Sequence, residues 1–112
     1  MTQSVDLTNL RDMTDGDPDM ERELFAEFIS SFESELAQLR ASLSDSASET
    51  WRRRAHALKG VAFNLGAMRL GELCKQAQDA PQSNPEAKSE LLTKISAEFE
   101  EVRHYLGELM AA

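Results

Sequence analysis

The stretch Trp51-Arg52-Arg53-Arg54-Ala55-His56-Ala57-Leu58-Lys59-Gly60-Val61-Ala62-Phe63-Asn64-Leu65-Gly66, continued by Leu70, Leu73, Cys74 and Ala77, decides the fold. Trp51, Ala55, Leu58, Ala62 and Leu65 recur at steps of three and four, the spacing that gathers apolar side chains on one face of a helix. Gly66 interrupts the pattern, and Leu70, Leu73, Cys74 and Ala77 resume it at once. A link of only a residue or two forces the chain to reverse, so this stretch predicts two antiparallel helices forming a hairpin.

Working outward, Ser46-Ala47-Ser48-Glu49 reads as a capping box that starts the first helix of the hairpin. A longer helix precedes it. Asp17 can cap that helix and Pro18 suits its first position, where a missing N–H would be unpaired anyway. Phe25, Phe28, Ile29, Phe32, Leu36, Leu39 and Leu43 form its apolar stripe. After Pro81-Gln82-Ser83-Asn84, Pro85 opens a last helix whose stripe is Leu91, Leu92, Ile95, Phe99, Val102, Leu106 and Leu109. No segment alternates apolar and polar residues for long, and β-branched residues are scarce, so strands are not expected. The expectation is an all-α protein, an antiparallel up-and-down four-helix bundle with a shorter N-terminal helix around Leu7 to Met13 lying across it. With 112 residues, 41% of them apolar, residues 1–112 fit one compact domain.

Composition removes several classes of function. The longest apolar run is the four residues from Leu109 to Ala112, far short of the roughly 18 a membrane span needs, so no membrane role is expected. The start of the chain is neither basic nor apolar, which makes the cytoplasm the expected compartment. A single cysteine, Cys74, excludes an internal disulfide framework and a multi-cysteine zinc site. A formal charge of −8 argues against nucleic acid as a partner. That charge is uneven. Residues 51 to 76 hold six basic side chains against one acid, a balance of +5, which leaves −13 elsewhere. An island of this kind is either a solvated face or the footprint of an acidic partner or a phosphate.

His56 stands in the island. At about 100° per residue it points nearly opposite Leu58, away from the core. Arg52, Arg53, Lys59, Gly60 and Phe63 share its face at the spacings whose side chains meet on a helix surface. One reading is an ordinary exposed histidine on a basic face. Gly60 favours a second: a glycine inside a helix costs about 1 kcal/mol relative to alanine, and here it opens space one turn beyond the imidazole. A neutral imidazole is nucleophilic at nitrogen near pH 7, and a phosphoryl adduct on it would be anionic, suited to Lys59 and the arginines. The chain has no glycine-rich phosphate loop, no paired carboxylates at a cleft and no Ser/His/Asp arrangement, so it is not expected to bind ATP or to be an enzyme by itself.

From Ala55-His56-Ala57-Leu58-Lys59-Gly60 through Phe63-Asn64-Leu65-Gly66-Ala67 to Leu70 and Cys74, the sequence resembles the histidine-containing phosphotransfer (HPt) family of phosphorelay proteins. The likeness is specific over about 25 residues. It implies that His56 accepts the phosphoryl group, that Lys59 neighbours and stabilises it, and that Gly60 keeps access open. It also puts Gln78 where several members have a polar side chain bonded to the histidine ring. In a tight hairpin about Gly66, the two residues fall at about the same level. Phe63 departs from the family, which often has a smaller residue there; it is either a docking contact or a cover for the edge of the adjacent helix. With Arg52 and Arg53 it completes the expected partner-binding set, and the salt sensitivity of docking is expected to follow Arg52, Arg53 and Lys59.

The resemblance further implies a cytoplasmic, monomeric phosphorelay carrier. Its partners would be receiver domains of a hybrid sensor kinase or a response regulator, with no cofactor or metal of its own and Mg²⁺ in the partner receiver. A bundle that binds a receiver or kinase through the same face without accepting phosphate is the alternative from another class. The dimerisation helix of a sensor kinase fits less well, because Ala57-Leu58-Lys59-Gly60 follows the histidine where an acidic residue and a proline are common. His104 is expected to be solvent-exposed among Glu100, Glu101 and Glu108, a poor place for phosphate. Cys74 is expected to be a buried packing thiol.

Overall fold

A computed structural model describes residues 5–44, 48–80 and 84–111 of the chain. It is all-helical among those residues, with α1 (Thr8–Thr14), α2 (Pro18–Ala41), a 3-10 turn (Ser42–Ser44), α3 (Ser48–Leu65), α4 (Met68–Gln78) and α5 (Pro85–Ala111). The start of α2 follows from its sequence. Asp17 Oδ1 accepts from the N–H of Asp19 at 3.0 Å and of Met20 at 3.4 Å, with Pro18 first in the helix. Asn84 performs the same service for α5, its Oδ1 accepting from the Ala87 N–H at 2.8 Å. Ser46, half of the expected capping box, and the connection at 81–83 lie outside the described residues.

The apolar stripes meet in one core. Trp51, Ala55, Leu58, Ala62 and Leu65 of α3 are all buried, as are Phe25, Phe28, Phe32, Leu36 and Leu39 of α2 and Leu92, Ile95, Phe99, Val102 and Leu106 of α5. Phe32 and Phe99 stack with ring centroids 4.6 Å apart, and Phe28 meets the Phe99 ring edge-on at 6.2 Å. Burying a ring of this size stabilises the fold by about 2 kcal/mol. The edges of the stripes are only half-buried: Ile29, Leu73, Leu91 and Leu109 lie at the margin, and Leu43 belongs to the 3-10 turn rather than to α2.

Cross-contacts give the helix directions. Arg22 Nε meets the Met110 carbonyl at 3.5 Å, Arg103 reaches Glu33 at 3.0 Å, and Arg40 donates to Ser96 Oγ at 2.8 Å. Numbers fall along α5 as they rise along α2, so these two helices run antiparallel.

The N-terminal segment is tied to the hairpin. The Asp6 N–H donates to the Gly66 carbonyl at 2.7 Å, while Val5, Leu7 and Leu10 are buried in the core. Gly66 has φ +99°, and a Cβ there would run into the Asp6 carbonyl, so both the reversal and the strap demand glycine. Two charged residues are unexpectedly buried. Lys88 lays its Nζ 5.0 Å over the Trp51 ring, and Glu98 faces Arg69 at 3.7 Å.

Candidate functional site

The hairpin of α3 and α4 aligns two facing pairs. His56 faces Gln78, and seven residues further along α3 Phe63 faces Gly71, seven residues earlier on α4. The residue numbers add to the same value in both pairs, so the helices are antiparallel and in constant register over two turns. The same register puts Lys59 level with Lys75. The Gly66–Ala67 reversal lies at its midpoint.

His56 is exposed, and its Nδ1 lies 3.2 Å from Gln78 Oε1. An amide oxygen can only accept, so this contact selects the tautomer with the proton on Nδ1. Nε2 then carries the lone pair, and it has no partner among the described residues. Lys59 is half-buried at the seam between α3 and α4, without an ion-pair partner among the described residues. At Gly60 a Cβ would meet nothing within 4 Å, and the backbone there is ordinary helix. Among the described residues, neither packing nor conformation requires glycine at that position.

The basic island is smaller than its formal charge. Arg52 pairs with Glu49 at 2.9 Å, and its guanidinium, hydrogen-bonded to the carboxylate, holds Glu49 below the usual carboxylate range. Arg54 approaches Glu35 at 4.0 Å, and Arg69 approaches Glu98. Among the described residues this leaves Arg53, Lys59 and Lys75 without an ion pair. Arg52, grouped with Arg53 on sequence grounds, therefore presents a charge already engaged.

Phe63 is half-buried, and its ring lies across α4 at Gly71, where a Cβ would overlap it. Of the two readings open from sequence, covering the edge of the adjacent helix describes where the ring sits. A different, largely apolar surface lies further along α3. The row His56, Gly60, Asn64 runs along α3 to a groove of about 460 Å³ between α1, α2 and α3, lined by Leu10, Met13, Leu24, Phe28 and Val61. Sequence reasoning did not find this groove. Its walls come from three helices, and α1 contributes Met13, which is 74% exposed.

His104 is exposed on α5, 3.8 Å from Glu108. Cys74 is buried, and burial pushes its thiol up to about 12, so it is unreactive near neutral pH. Among the described residues no group of three or more His, Cys, Asp or Glu side chains could hold a metal ion, and no helix is long and apolar enough to cross a membrane.

Comparison with known proteins bears on the family and on the fold. A family model described as the Hpt domain matches residues 23–111. A search of curated protein sequences returned no match. Among solved structures, the crystal structure of histidine-containing phosphotransfer protein B (HptB) from Pseudomonas aeruginosa PAO1 superposes with a TM-score of 0.86. It is 24% identical in sequence, and the match covers 99% of this chain and 97% of that one, a likeness of fold. The family model begins within α2, whereas the structural match takes in α1 as well.

Proposed function

The chain belongs to the Hpt domain family, whose members are phosphotransfer carriers in two-component signalling, and from that premise we propose that His56 is its phosphoryl acceptor. The observation that carries this reading is the exposed imidazole with Nδ1 engaged by Gln78 and Nε2 unengaged. The frame we read for it is an up-and-down four-helix bundle of α2 to α5, crossed by α1.

In the reaction we propose, Nε2 attacks in line at the phosphorus of a receiver's aspartyl phosphate. The N–P bond forms as the acyl P–O bond breaks, and the receiver's aspartate leaves as a carboxylate. Nδ1 keeps its proton towards Gln78. Lys59, one turn along, neutralises charge on the transferred oxygens as a point charge. Gly60 leaves room for the incoming receiver backbone. Mg²⁺ and most catalytic groups belong to the receiver, so this chain is a carrier more than an enzyme. Return of the group to an aspartate of another receiver reverses the same step. Receiver partners make a cytoplasmic monomer the simplest form of the carrier.

Docking would use Arg53 and Lys59, cations near His56 that make no ion pair among the described residues, against an acidic receiver surface. The test is to incubate the chain with a phosphorylated receiver and Mg²⁺ and to measure acid-labile, base-stable label. Label on the native chain and none on His56→Gln is expected. Binding without label would mean a non-phosphorylated interaction module, and label surviving in His56→Gln would move the acceptor elsewhere.

A further inference from the structure

We propose that Trp51 is a positioning residue for His56, acting through the last turn of α4; the proposal rests on the reading of His56 as the acceptor. Gln78, the side chain that bonds the imidazole, is the final residue of α4. Helix ends fray because their last carbonyls lack amide partners one turn on. For Ala77 the missing partner is specific: the residue four positions later is Pro81, which has no N–H to give. What Ala77 has from its own stretch of chain are turn contacts only, from the Asp79 N–H and from the Ala80 N–H at 3.2 Å.

Trp51 fills the place. Its indole Nε1–H donates to the Ala77 carbonyl at 2.7 Å, from a side chain that is fully buried. Trp51 lies five residues before His56 on the same helix, and Ala77 immediately precedes Gln78. The two hydrogen bonds, Trp51 to Ala77 and His56 to Gln78, therefore tie the nucleophile's own helix to the turn that orients it, at two adjacent points. From the other side, Lys88 of α5 places its ammonium over the indole face and fixes the ring between α4 and α5. Leucine or phenylalanine would supply apolar contact here, though with less volume, but of the large apolar side chains only an indole brings an N–H to a buried carbonyl. The chemistry of the residue, and not its volume, points to positioning.

The experiment reads the His56 tautomer by side-chain ¹⁵N NMR in the unphosphorylated protein, and separately the rate of phosphoryl transfer from a phosphorylated receiver with Mg²⁺. Trp51→Phe keeps a ring under Lys88 and loses the N–H. The expected result is a smaller fraction of Nδ1–H tautomer and transfer slowed about five-fold. In a Gln78→Leu background the same change should add nothing further, since the orienting bond is already gone. If Trp51→Phe does not fold, benzothienylalanine at position 51 keeps the indole's shape without its N–H and decides the question. A native tautomer ratio in either variant, or an equal slowing in both backgrounds, would overturn the proposal. Because the tautomer is measured without phosphate, a shifted tautomer in a chain that never takes label would sink the carrier reading alone.

Discussion

Gln78 Oε1 lies 3.2 Å from His56 Nδ1, across a seam whose two helices are joined by only Gly66 and Ala67. The shortness of that link is what makes the bond possible. Any extra residue in the reversal would slide α4 along α3 and rotate its faces, and Gly66, with φ +99° and the Asp6 carbonyl against its Cα, fixes the count. The tautomer that Gln78 selects at His56 thus depends on a turn ten residues away in sequence.

Replacing Gln78 by Leu should leave helicity intact, since the side chain is only half-buried, while releasing the imidazole to either tautomer. Transfer from a phosphorylated receiver is expected to slow about ten-fold, the cost of an orienting hydrogen bond to a reacting group. Rapid-quench measurement of labelled chain against time checks it. Unchanged kinetics would mean that Gln78 does not orient the acceptor.

Gly60 and Gly71 should respond to the same substitution with opposite signs. A Cβ at Gly60 meets nothing, so Gly60→Ala is expected to stabilise α3 by about 1 kcal/mol and raise Tm by about 4 °C. It should slow receiver transfer, because the space beside His56 is narrowed. At Gly71 a Cβ would overlap the Phe63 ring, so Gly71→Ala is expected to cost about 2 kcal/mol. Adding Phe63→Leu should recover part of that loss. Thermal melts of the three variants, with transfer assays on Gly60→Ala, separate a glycine kept for a partner from a glycine kept for packing.

Periodicity exposed the inner faces of α3 and α4 before any coordinates, because each buried residue repeats on its own helix. It also distinguished the two histidines, since the neighbours of His104 at one turn are acidic and those of His56 are basic. What it could not reach were pairings between helices. Glu49 lies one turn from Arg52 on the same helix but reads from sequence as part of a capping box instead, and Glu35 and Glu98 come to Arg54 and Arg69 from α2 and α5. The seat of Phe63 on Gly71 depends on the register across the hairpin, which follows only once the link length is known. Trp51 read as core from its spacing. Its polar contact became visible only when its indole N–H met the Ala77 carbonyl, whose usual helical donor would be the N–H that Pro81 lacks.

The charges beside His56 should not contribute equally to docking. Arg52 must release Glu49 before it can meet a receiver's acid, whereas among the described residues Arg53 feels that carboxylate only at longer range and neither it nor Lys59 makes an ion pair. Arg53→Gln and Lys59→Gln are each expected to weaken receiver binding about three-fold at low salt and to flatten its salt dependence. Arg52→Gln should do less, and Glu49→Gln should strengthen binding by freeing the guanidinium. Titrations by calorimetry or anisotropy at several ionic strengths give all four slopes. An Arg52→Gln effect as large as that of Arg53→Gln would show that the Glu49 contact does not restrain Arg52.

Cys74 supplies a pH test of the core. Burial raises its thiol from 9.0 to about 12, so the folded chain keeps the proton at pH values where an unfolded chain loses it. The sign follows from that difference. The group's contribution is fully present below about pH 9 and is lost as pH rises towards about 12, at a slope of about 1 kcal/mol per pH unit between the two. Urea midpoints of the native chain should therefore fall more steeply over this window than those of Cys74→Ala. Every other ionisable group is common to the two proteins and cancels in the comparison. Near pH 8 an alkylating reagent should label Cys74 only once the chain is unfolded, because attack needs a thiolate that the buried site disfavours and a path that α4 and its neighbours close. Equal slopes for the two proteins, together with rapid labelling of the folded chain, would mean that α4 opens from its neighbours under native conditions. The His56–Gln78 seam would then open with it, and the loss of a fixed tautomer would appear in the same sample.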